Sequence, residues 1–158
     1  MNPKSGFTLV EILIILGILA ILFTITSLNL SSTIPKNALD GAVSALVSDL
    51  KQQQLYALTG ASIGQNSSSD YGIYFSGSKY TIFHGSTFNA NDSSNFEVAF
   101  DDLNFSYNGL GSVIVFSKNN GEIKNFQPDA NTIQISSTSV DKTKSIIINK
   151  YGVIESIL

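Results

Sequence analysis

One carboxylate, Glu11, stands in the otherwise uncharged, largely apolar run of residues 7–30. Even on lenient insertion scales a carboxylate at the centre of a membrane-length helix costs about 2.5–3.5 kcal/mol, so the position calls for a charge partner or a function. The neighbouring residues offer one. A cut after Gly6 would give Phe7 a free α-amine about one helical turn from Glu11, on the same chain or on an adjacent one, and pairing would offset the desolvation of both charges. A secretory signal peptide carries its cleavage site after the apolar core. This cut would precede the run and leave the helix on the mature chain.

Other residues that could do chemistry are few. Cysteine is absent and His84 is the single histidine. Disulfides, thiol nucleophiles and cysteine metal sites are thereby excluded. A lone histidine does not make a metal cluster of the usual composition, and as a general base it needs an orienting partner that the sequence does not reveal. Asp101 and Asp102 are adjacent, and on a continuous strand they would face opposite sides. In a turn with Asn104 their oxygens could gather around Ca²⁺, but the spacing is that of no recognisable calcium loop, and Asp92 and Asp129 lie in other polar loops. No catalytic, cofactor-binding or metal-ligating set is expected, and the chain reads as a non-enzyme. A membrane-tethered hydrolase would need a pocket that brings His84 to a carboxylate or a hydroxyl nucleophile.

The formal net charge is −3, and the nine basic residues are all lysine. Phosphate neutralisation and bidentate base contacts favour clustered Arg and Lys, so the composition argues against a nucleic-acid surface. Lys142, Lys144 and Lys150 could gather on one edge, with Asp141 and Glu155 diluting the patch. Asn-X-Ser sequons at Asn29, Asn66, Asn91 and Asn104 are what chance gives in a chain rich in Asn and Ser.

The 158 residues suffice for a long helix and one further domain. Residues 7–30 as a helix would span roughly 36 Å, enough to cross a bilayer core with some tilt. The chain turns polar over 27–33, and Pro35 disfavours helical geometry at Ile34, so a kink or short break is expected there. Beyond it Leu39, Val43, Leu46, Val47, Leu50, Ala57 and Leu58 recur at helical spacing, with Asp40, Asp49, Lys51, Gln52 and Gln53 on the other face. This amphipathic helix should end near Gly60. Segments 61–70 and 86–95 read as loops. Strands are predicted over 71–76, 79–84, 96–100, 103–107, 112–117, 122–126, 132–137, 145–150 and 153–157. The turns between them fall at Gly77-Ser78, Asn119-Asn120-Gly121, Asp141-Lys142 and Tyr151-Gly152. A long helix followed by an antiparallel β domain is the α+β arrangement, the helix covering a sheet face.

Gly6-Phe7-Thr8-Leu9-Val10-Glu11 resembles the prepilin cleavage motif of type IV pilins and type II secretion pseudopilins. The resemblance implies cleavage between Gly6 and Phe7 by a membrane prepilin peptidase, methylation of the new Phe7 amine, and a need for Glu11 in docking the subunit into a helical filament. It divides the chain into a leader (1–6), a transmembrane and filament-core helix (7–30), an amphipathic continuation (31–60) and a β-rich pilin-like domain (61–158). Lys4 would help hold the leader in the cytoplasm. Implied partners are the peptidase, other pilin or pseudopilin subunits, an inner-membrane assembly platform and the lipid bilayer, with the carboxyl-terminal domain outside the cytoplasm.

Within that group, Leu46-Val47-Ser48-Asp49-Leu50, Tyr71-Gly72-Ile73-Tyr74-Phe75, Tyr80-Thr81-Ile82-Phe83 and Ile146-Ile147-Ile148-Asn149 are similar to GspH/FimT-like minor pseudopilins. This implies a low-abundance subunit that primes or caps a pseudopilus. Some FimT-like members are associated with DNA binding through a basic carboxyl-terminal region. The carboxyl-terminal residues Lys150 to Leu158 here hold one Lys and one Glu, so the match fails at that point.

Overall fold

The computed structural model describes residues 8–60, 69–124 and 126–158, and of residues 24–37 and 110 the backbone alone. One α-helix, α1, runs over Leu9–Thr59. The expected break at Pro35 is corrected: the helix is continuous through it. Proline removes one ladder hydrogen bond, and the bonds on either side keep the helix together. The start is corrected as well, from residue 7 to Leu9, because Thr8 is extended at φ −80° and serves as the N-cap. At the other end Gly60 takes the left-handed conformation (φ 64°) and its N–H donates to the Tyr56 carbonyl. A residue without Cβ adopts that cap without strain.

Eight strands follow: β1 (Tyr71–Ser76), β2 (Lys79–His84), β3 (Phe96–Ala99), β4 (Leu103–Tyr107), β5 (Val113–Phe116), β6 (Thr132–Ser137), β7 (Lys142–Ile148) and β8 (Ile154–Ile157). They form two antiparallel four-stranded sheets, ordered β3-β2-β1-β5 and β4-β6-β7-β8. The fold is thus α+β, with the helix packed on antiparallel sheets.

Two strand expectations change by more than one residue at an end, while those over 96–100, 112–117 and 153–157 shorten to Phe96–Ala99, Val113–Phe116 and Ile154–Ile157. The strand expected over 122–126 does not form among its described residues, where Ile123 makes only an isolated bridge to Phe116. Its neighbourhood is shared between two partners, since Lys124 N donates to the Val115 carbonyl (2.8 Å) and Ile123 N to the Lys150 carbonyl (2.9 Å). The seventh strand begins at Lys142 rather than 145, the turn falling just before it with Asp141 at φ 47°. It stops at Ile148 because the Asn149 side chain accepts the N–H groups of Tyr151 and Val153. The 86–95 segment is a loop, as expected, whereas residues 61–68 lie outside the described residues.

The core joins α1 to both sheets. Leu39, Ala42, Val43, Leu46, Leu50 and Ala57 are buried against Ile73, Tyr80, Phe105, Phe116, Ile133, Ile135, Ile146 and Ile148. Two assignments on the helix reverse: Gln53 is buried and Leu58 is exposed. Gln53 falls three residues after Leu50 and four before Ala57, on the buried stripe itself. The opposite face of the first sheet has its own cover. Phe88, from the loop after β2, stacks on Tyr74 at 4.2 Å and meets Phe83 edge-on at 5.4 Å. Gly72 beneath leaves room for the Phe83 ring, which a Cβ there would strike.

Candidate assembly site

The amino-terminal half of α1 takes no part in that core. From Leu9 (80 % exposed) to Phe23 (76 % exposed) its large apolar side chains face outward on every side of the helix. A helix apolar all round is one that buries itself in a larger core, in lipid or among other helices. The described apolar stretch ends at Phe23, and among the described residues no helix is long and apolar enough to cross a membrane. The expected crossing over 7–30 extends to residues whose side chains lie outside that description.

Glu11 sits at the third position of the helix and closes a capping box with Thr8. Its backbone N–H donates to Thr8 Oγ1 (3.3 Å), and its carboxylate accepts the Thr8 N–H (3.4 Å). The carboxylate therefore lies at the amino-terminal end of α1, where the partial positive charge of the unsatisfied N–H groups also favours it. The sequence reading missed this cap, although the Thr8-x-x-Glu11 spacing is the signal that could have found it. Gly6 and Phe7 lie outside the described residues, so the distance from the carboxylate to the α-amine of a cut chain is an expectation from the sequence.

Polar ties lock the carboxyl-terminal half of α1 to the domain. The buried Tyr80 hydroxyl donates to Asp49 at 2.6 Å, and burial, reinforced by the Asp49 charge, pushes that phenol well above its ordinary value. Gln54 donates to the carbonyls of Gly121 (3.2 Å) and Tyr151 (2.5 Å). Neither tie was visible in the sequence, where Asp49 read as part of a solvated face.

The residues weighed for chemistry fall on different elements, Asp92 alone lying within electrostatic reach of His84. His84 is half-buried at the end of β2 with its ring edge-on to Tyr71. The cavity of about 240 Å³ lined by Ser86, Thr87, Phe88, Tyr107, Val113, Val115 and Lys124 does not include it. Asp101 and Asp102 occupy the turn before β4, with Asp102 at φ 61° and its carbonyl accepting from Thr138. Asp92 caps its own loop by accepting from the N–H and hydroxyl of Ser94, and these bonds hold its carboxyl below the usual range. Among the described residues no three acidic, histidine or cysteine side chains gather as metal ligands. Of the lysines that could have formed a patch, Lys144 pairs with Asp40 (3.4 Å) and Lys150 with Glu122 (3.2 Å).

A family model described as the prokaryotic N-terminal methylation motif matches residues 1–27. The chain carries the motif of a type IV pilin-like prepilin-peptidase substrate. A structural, pilin-type role fits this motif, as do processing by the peptidase and assembly with other pilins. No curated protein and no solved structure matches the chain.

Proposed function

We propose that the chain is a minor pilin or pseudopilin. In this reading it is cut between Gly6 and Phe7, methylated on Phe7, held in the membrane by residues 7–30 as a single pass, and assembled through that helix into a pilus or pseudopilus. The observation that carries the reading is the exposed apolar arm of α1, which bears one carboxylate and projects from a domain already satisfied in its own core. Lipid solvates the arm before assembly; other arms replace the lipid afterwards. The GspH/FimT-like subtype rests on the strand motifs quoted above together with the two-sheet domain.

Glu11 has two roles in sequence. In the free subunit its carboxylate closes the capping box with Thr8. In the filament it pairs with the Phe7 amine of a neighbour, an interaction strong in a low-dielectric core because both charges are otherwise uncompensated there. Glu11→Gln keeps the shape and removes the charge. The variant should be cut and should fold normally yet be missing from sheared filaments, and parent-level incorporation would overturn the pairing role.

A further inference from the structure

The bonds that start α1 bear on the peptide bond between Gly6 and Phe7. In an α-helix each N–H donates to the carbonyl four residues back. Among the described residues the ladder opens with the Ile12 N–H donating to the Thr8 carbonyl (3.3 Å). One step further toward the amino terminus, the Glu11 N–H would have to reach the Phe7 carbonyl, but it donates to Thr8 Oγ1 instead (3.3 Å). The Thr8 N–H, which a longer helix would give to the Lys4 carbonyl, goes to the Glu11 carboxylate (3.4 Å). The capping box thus diverts two of the donors that would carry the helix across Gly6 and Phe7. Thr8 itself is extended, at φ −80° and ψ 153°.

The sequence has the means to start the helix earlier. Asn2 is an N-cap type followed by Pro3, the residue favoured at the first helical position, and Ser5 is a further N-cap type. A helix begun at either would take the Gly6–Phe7 bond into its first turns. A peptide bond in such a turn is held in the ladder and is reached only when the turn opens, whereas chain outside an element is cut directly. The cap is an observation of geometry and the match to the methylation motif over residues 1–27 one of sequence, and both bear on this bond.

We propose that Thr8 is a positioning residue for prepilin cleavage: its cap starts α1 at Leu9 and so presents the Gly6–Phe7 bond to the peptidase as extended chain. This role rests on the processing reading. Glu11 serves the cut only through the cap, where glutamine closes the same box, while assembly keeps its separate need for the charge.

The test uses the full chain in detergent with a prepilin peptidase, with initial rates of cutting read from intact masses over a range of substrate concentrations. Thr8→Val keeps the shape of threonine and removes the hydroxyl. A threonine cap is worth about five-fold in the equilibrium at a helix start, so KM should rise about two- to five-fold with kcat unchanged, because the helical form is withheld from binding. Thr8→Asn caps with a side chain of different chemistry and Thr8→Ser with the same hydroxyl; both should stay within about 1.5-fold of the parent, as should Glu11→Gln. Thr8 is exposed and lies outside the core, so these variants leave the domain intact. A loss with Thr8→Asn equal to that with Thr8→Val, restored by Thr8→Ser alone, would mean that the peptidase reads the hydroxyl itself and would overturn the capping role. Parent-level cutting of Thr8→Val would also overturn it and leave the processing reading standing. A parent chain left uncut by an active peptidase would overturn both.

Discussion

The two halves of α1 belong to one unbroken helix, yet the less apolar of them is buried in the domain core and the more apolar one is not. From Leu39 to Ala57 the apolar residues fall on a stripe and the polar ones elsewhere, so a sheet face suffices to cover them. From Leu9 to Phe23 apolar side chains occupy the whole circumference and remain outside the core. No single sheet face can cover such a surface, which must be met by lipid or by several helices at once. Apolar content therefore says that a segment will be buried; the arrangement around the helix says whether its own chain can do it.

The sharpest way to break the comparison is to cut the same side chain from each half. Leu46→Ala should cost the domain about 2–5 kcal/mol, since it removes fully buried contacts and leaves a cavity, whereas Leu16→Ala should change the domain's unfolding by less than about 0.5 kcal/mol. Urea titration of the detergent-solubilised chain, followed by tyrosine fluorescence, measures both. Equal costs would mean that the arm is part of the folded core after all.

Smaller effects sharpen how the buried half is fixed. Tyr80→Phe deletes the hydroxyl that Asp49 receives at 2.6 Å and leaves a half-buried carboxylate short of a donor. A loss of about 1–3 kcal/mol is expected in the same titration. Asp70 holds the start of β1, accepting from Lys124 Nζ (2.5 Å) and the Lys118 N–H (2.8 Å). Burial pushes its carboxyl up, but these bonds and the two lysine charges outweigh burial and hold it below the ordinary 3.8. The contribution is therefore present above that value and is lost as the pH falls through the lowered native one. Asp70→Asn should cost about 1–2 kcal/mol at pH 7, and its deficit should shrink steadily when the titration is repeated from pH 4 downward. The exposed Lys79–Glu97 pair marks the low end: Glu97→Gln should shift the midpoint by no more than about 0.5 kcal/mol.

Much of this fold was readable in the sequence because its signals are local. Gly60 marked the helix end, alternation marked β1, β2, β4 and β6 at their observed bounds, and the order of elements gave the α+β class. What was not readable depends on contacts distant in sequence. The division into two sheets, the sharing of Ile123 between Phe116 and Lys150, and the reach of Gln54 to Gly121 and Tyr151 all join residues far apart along the chain. Pro35 misled because proline's local preference is weaker than the cooperativity of the helix around it. In the candidate site the sequence singled out Glu11 by its apolar setting, whereas its bond to Thr8 was missed, although the Thr8-x-x-Glu11 spacing is the signal that could have found it.

The central claim is that the exposed arm belongs to a cut and assembled subunit. Intact-mass and amino-terminal analysis of the full chain, expressed with and without a prepilin peptidase, tests it most directly. A peptidase-dependent chain that begins at Phe7 and carries one added methyl group is the predicted result. A chain that still begins at Met1 in the presence of an active peptidase would contradict it.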